Sequence, residues 1–125
     1  MHIVKNFQIT KSVKIGLVMA VLLNLALLGN ANSPSEIQLT YDQEKGRLHV
    51  VVKHVSTHMR KHYIRKIEVR KNNEPSVPYY YTSQTSPSEL IVDIALKAVP
   101  TDTIHVEAIC SQAGRAEETL VIPAE

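Results

Sequence analysis

Cysteine is almost absent from this chain: one stands among 125 residues, beside four glycines, one phenylalanine and no tryptophan. A single cysteine excludes an internal disulfide and any four-cysteine zinc or cluster site. Four scattered glycines leave no glycine-rich phosphate loop. The serines show no arrangement with a base that would point to a catalytic triad. Charge of one sign is missing too. The net +2 comes from the first 31 residues, which hold Lys5, Lys11 and Lys14 and no acid. The other 94 carry 11 Lys/Arg against 12 Asp/Glu, a balance of −1. The body therefore lacks the clustered positive charge that neutralises phosphates, and no nucleic-acid partner is expected.

What is present is an ordinary globular composition, 44% hydrophobic and 21% charged, which argues against a disordered chain. A body of this size buries a little over ~60% of its unfolded surface, enough for one modest core. Ahead of it, Ile15 to Leu28 forms an apolar run broken only by Gly16 and Asn24. As a helix that run spans roughly 21 Å, short of the ~30 Å hydrocarbon core. Basic residues precede it, and Gly29 and Ala31 follow two apart. This is the pattern of a secretory signal peptide over 1–31, cut after Ala31, which places the body in the periplasm or outside the cell. An uncleaved leader would instead anchor the protein to the membrane.

The body reads as an all-β domain over 37–125, behind a polar linker at 32–36. Strands are expected at 37–42, 47–55, 62–70, 76–83, 90–97, 104–110 and 119–122. The clearest alternations are Leu48, Val50 and Val52, then Leu90, Val92, Ile94 and Leu96, then Ile104, Val106, Ala108 and Cys110. Ile64 and Ile67 break parity, which calls for a bulge between them. Pro78 confines its strand to an edge or a strand start. Seven short strands without helical periodicity predict an immunoglobulin-like β-sandwich.

Two segments can carry chemistry. Between Lys53 and Tyr63, His54, His58 and His62 recur at intervals of four. The flanks are strand-like, so the segment is a loop that can fold back and bring His54 and His62 together. Neutral imidazole is the commonest metal ligand, although an exposed basic loop would look the same. Cys110 ends a strand just before Ser111-Gln112-Ala113-Gly114. It reads as a buried small hydrophobe, an intermolecular disulfide partner or a metal thiolate. Two histidines and a thiolate suit iron, zinc or copper. Blue copper is set aside, because 111–125 holds neither His nor Met.

His62-Tyr63-Ile64-Arg65-Lys66-Ile67-Glu68-Val69 resembles the histidine strand of the desulfoferrodoxin/superoxide reductase iron domain, with His54 as that motif's first histidine. Ile104 to Gly114 resembles the family's second motif, a strand ending in C-N-x-H-G. The resemblance implies an immunoglobulin-like fold holding one iron through four histidine nitrogens and one cysteine sulfur. It also implies transfer of an electron to superoxide, with an unidentified donor restoring the reduced iron. His54, His62 and Cys110 match ligand positions, and His58 is a further candidate for a missing nitrogen. Ala113 stands where the second motif has histidine. The family's early Glu-Lys-His has no counterpart, since Glu44-Lys45 runs into Gly46. The expectation is a redox protein with a weakened or rearranged iron site. Its rival is a non-catalytic immunoglobulin-like binding module that has lost the metal, of the kind seen in SoxZ-type sulfur-carrier partner domains.

Overall fold

The structure is a computed structural model and describes residues 32–124. The expected leader over 1–31 lies outside the described residues. The chain folds into seven antiparallel strands: β1 (Glu36–Asp42), β2 (Arg47–Lys53), β3 (Ile64–Lys71), β4 (Val77–Tyr80), β5 (Glu89–Ala95), β6 (Thr103–Cys110) and β7 (Arg115–Val121). They form two sheets, one ordered β1-β2-β5 and the other β4-β3-β6-β7. This is the immunoglobulin-like sandwich that the alternation predicts. Among the described residues, no helix is long and apolar enough to cross a membrane.

Period-two patterning places the core. Leu48, Val50 and Val52 of β2 face Ile64 and Ile67 of β3 and Ile104 and Val106 of β6, all fully buried. Burying such a side chain stabilises the fold by about 1.5–3 kcal/mol, and aliphatic residues make up most of the core, with Tyr41, Tyr79 and Tyr81 packed against it. Along β6 the inward side chains shrink from Ile104 through Val106 to Ala108 and Cys110.

The expected bulge is there, as a register shift between Ile64 and Lys66 where β3 pairs with β6. It lets Ile64 and Ile67 both point inward although they are three apart. Pro78 lies in β4, an edge strand, as its missing N–H requires.

Several boundaries differ from expectation, β4 and β5 among them, and four of the differences have a visible cause. β2 stops at Lys53, because the N–H groups of His54 and Ser56 bond to the carbonyls of Ser88 and Pro87 in a loop. β3 begins only at Ile64, the N–H of Tyr63 being held by the Ser111 hydroxyl. β7 begins at Arg115, four residues early, because its inward series includes Glu118, which hides the alternation in the sequence. The segment read as a linker packs onto the domain: Pro34 is fully buried, Ser35 donates its N–H to Lys53, and Glu36 already belongs to β1.

The sandwich has two poles. One gathers the 42–47 hairpin, the 71–75 turn and the 96–103 connection; the other gathers 54–63, 84–89, 110–114 and the entry at 32–35.

Candidate metal centre

Each candidate ligand is one further inward step along a core-facing strand. His54 follows Leu48, Val50 and Val52 in phase, and is buried. Cys110 completes the series from Ile104, and is 2% exposed. His62 precedes the inward Ile64, whose partner across the ladder is Cys110. The bulge therefore sets the parity that turns His62 inward beside the cysteine. Ligand atoms of His54, His62 and Cys110 all lie within 4.8 Å of one another. The two imidazoles meet edge to face, their centroids 4.6 Å apart and their planes at 84°.

The surrounding chain holds them in place. Ser111 donates its N–H to Tyr63 at 2.8 Å, and its hydroxyl donates to the Lys61 carbonyl at 3.0 Å, tying the cysteine turn to the histidine loop. Gly114, at φ 95°, lets that turn close so that its carbonyl accepts the Cys110 N–H at 3.0 Å. The Ser56 hydroxyl donates to the His62 carbonyl. Gln112 points its N–H at the Cys110 sulfur, 3.4 Å away.

The polar atoms of the two histidines are treated differently. His54 Nδ1 is 2.5 Å from Gln84 Oε1, and its Nε2 is 3.1 Å from the Asn32 carbonyl oxygen. His62 Nε2 is buried without a hydrogen-bond partner. Burial pushes the His62 imidazole below its ordinary pKa, the His54 ring adds to that, and the Asn32 carbonyl pulls the other way. His62 is thus favoured in its neutral, metal-binding form.

His58 lies outside this group, exposed at the top of the loop, where its carbonyl accepts the N–H groups of Lys61 and His62. His49 and His105 sit on outer strand faces, paired with Asp93 and with Glu117 and Thr119. Ala113 is exposed in the turn after Cys110. Glu44-Lys45-Gly46 belongs to the opposite pole, where Gly46 takes φ 63°. Gln84 and Asn32 went unread in the sequence. Gln84 sits in the polar run Tyr81-Thr82-Ser83-Gln84-Thr85-Ser86, which has no periodicity to mark one member as buried.

No protein-family profile and no curated protein matches the chain. Among solved structures, a superoxide reductase (neelaredoxin) from Ignicoccus hospitalis is similar at a TM-score of 0.44 and 17% identity, covering 72% of this chain and 79% of its own. The archaeal flagellum of Methanospirillum hungatei strain JF1 is similar at a TM-score of 0.49 and 12% identity, covering 98% of this chain and 85% of that one. Likeness this distant says nothing about chemistry. The case for a metal rests on the three side chains.

Proposed function

We propose that this protein is an exported mononuclear-iron redox protein resembling superoxide reductase, with a reduced ligand set of His54, His62 and Cys110. The observation that carries the reading is the convergence of two imidazoles and a thiol, with ligand atoms within 4.8 Å of one another, on one buried spot. The donors fit an ion of this class. His62 offers an unpartnered buried nitrogen, and two nitrogens with one soft sulfur suit a transition metal. They do not fit the full set that the sequence resemblance implies, because Ala113 and the Glu44-Lys45-Gly46 turn contribute no imidazole.

The chain's own residues hold and tune such a site. Cys110 would supply the thiolate, and the Gln112 N–H beside it draws charge from the sulfur. The burial of Cys110 keeps the sulfur from bulk oxidants. The chemistry a bound iron would supply is one electron, which with two protons converts superoxide to hydrogen peroxide, an external donor then restoring the ferrous state.

A second reading is favoured by one contact. The Asn32 carbonyl lies 3.1 Å from His54 Nε2, so the pocket is partly closed by the chain itself, as a metal-free binding module requires. Metal analysis of the protein isolated from its exported compartment separates the two. Iron at about one per chain, with a visible thiolate-to-iron band that disappears in Cys110→Ser, supports the redox centre. A colourless protein after anaerobic iron loading and oxidation sinks it in favour of the module.

A further inference from the structure

Arg65 is the extra residue of the β3 bulge. The register with β6 passes from Ile64 opposite Cys110 to Lys66 opposite Ile109, and Arg65 has no partner between them. A bulge leaves one residue out of the ladder and re-aims its side chain. Here that side chain borders a cleft of about 480 Å³ at the Cys110 end of the sandwich, lined by Ser33, Arg65, Ile109 and the turn from Cys110 to Arg115. Arg115 lies opposite Ile109 on β7, so arginines from β3 and β7 flank one isoleucine of β6. Among the lining residues there is no carboxylate. Arg115 gives only its Nη1 to Glu107, at 3.0 Å, and keeps the other N–H groups of its fork. Among the described residues no acid pairs with Arg65. The cleft beside the 42–47 hairpin is balanced instead, with Asp42 and Asp93 standing beside Lys45 and Arg47.

The turn brings donors of its own. The Ser111 N–H is spent on the Tyr63 carbonyl and the Gln112 N–H on the cysteine sulfur. Among the described residues the N–H groups of Ala113 and Gly114 meet no acceptor. Successive backbone N–H groups in a turn form a concavity that binds anions. A guanidinium is always charged and presents a planar fork that matches the oxygens of an oxyanion. We infer that this cleft binds a phosphate group, held by Arg65 and Arg115 and by the N–H groups of Ala113 and Gly114. Phosphate is favoured over carboxylate because four donor groups line the cleft, and phosphate brings three strong acceptor oxygens to them where carboxylate brings two. The volume falls within the ~300–1,000 Å³ of small-molecule pockets, which leaves room for a free phosphate or for one carried on a small organic molecule. The site needs no ion at His54, His62 and Cys110, so it stands or falls apart from the metal reading.

Titration of the full chain with inorganic phosphate at constant ionic strength, followed by amide ¹H–¹⁵N spectra, tests this. The Ala113 and Gly114 resonances should shift and saturate. Arg65→Gln should weaken binding by about tenfold or more, as the loss of a charged hydrogen-bond partner implies. Arg65 is exposed and outside the ladder, so this variant should fold as the wild type does. Arg70→Gln removes the same charge from an exposed position on β3 that does not line the cleft, and should change the affinity by less than about twofold. Glycerol 1-phosphate binding more tightly than inorganic phosphate assigns the site to an organic phosphate, and equal or weaker binding assigns it to the free ion. Amide shifts that never saturate overturn the inference, as does an affinity that Arg65→Gln leaves unchanged or that Arg70→Gln lowers equally. Acetate binding as tightly as phosphate also overturns it.

Discussion

At the pole made by 42–47, 71–75 and 96–103, polar side chains are matched group for group. The Tyr41 hydroxyl donates to the Leu96 carbonyl at 2.7 Å and accepts the Ala98 N–H at 2.9 Å. Asn72 accepts the Thr103 N–H at 2.9 Å and donates to Asp102 at 3.1 Å, while Asp102 also accepts the Val99 N–H at 2.9 Å. The Val99 and Asn72 bonds hold the Asp102 carboxyl below its usual range. At the other pole His62 Nε2 is buried without a hydrogen-bond partner, while His54 is bonded through both ring nitrogens, to Gln84 and to the Asn32 carbonyl. A turn that serves only the fold satisfies its polar groups, since each left unpaired costs about 1–3 kcal/mol. A pole that leaves such groups bare loses stability unless something else binds there. The contrast is what the proposed metal reading expects of the pole that holds His54, His62 and Cys110.

His62→Phe tests this contrast with the largest expected effect. Metal binding should be abolished, yet the fold should lose little stability, because replacing an unpartnered buried nitrogen by hydrocarbon, worth about 1–2 kcal/mol, offsets the lost contact with the Asn32 carbonyl. Chemical denaturation and Co²⁺ titration of the same variant check both halves. A variant that loses stability along with binding would mean that His62 is structural, and the two poles would no longer differ in kind.

Glu118 supplies the control between the poles, since its Oε1 is the other buried atom without a partner among the described residues. It lies in the middle of β7, opposite Val106, far along the strand from Cys110. Burial pushes its carboxyl up to about 7, with the Glu36 charge adding to the rise and the Thr119 N–H opposing it. For an acid raised above its unfolded value, the folded state holds the proton longer. Stability should therefore fall as pH rises through the window from about 4.5, the unfolded value, to about 7. Glu118→Gln removes the titration. It should be more stable than wild type by about 2–3 kcal/mol at pH 8, with most of that difference gone by pH 4.5 and metal binding unchanged. If Glu118→Gln altered metal binding, binding would not be confined to the pole that holds His54, His62 and Cys110.

Much of this was legible before the fold was known. Seven strands follow from the alternation, and the bulge follows from the parity of Ile64 and Ile67. The candidate ligand positions are readable by the same rule carried one step past each core series: Val52 to His54, Ala108 to Cys110, and Ile64 back to His62. That rule also separates His58 from its neighbours, because His58 lies on no strand. Gln84, Asn32 and Glu118 were not legible. Their placement comes from how loops and strand edges close over one another, and a polar residue in a polar run, or in an inward position, breaks every period that sequence reading depends on.

Tyr41→Phe carries the smallest effect and tests the matched pole alone. The substitution keeps the ring and its packing, and deletes only the hydroxyl between Leu96 and Ala98. The Leu96 carbonyl loses a donor and the Ala98 N–H loses an acceptor. Part-buried groups that water can reach only incompletely should then cost about 1–2 kcal/mol of stability. The hairpin pole lies at the far end of the strands from Cys110, so changes without shared partners should add independently. Metal affinity should therefore be the same as in the wild type, and the His62→Phe and Tyr41→Phe stability effects should sum in the double variant. Denaturant midpoints of the two single variants and the double variant, taken at constant slope, measure this. A double variant departing from the sum by more than about 0.5 kcal/mol would show that the poles are coupled, and that the cost of the bare imidazole is offset in part by the turn at the opposite end.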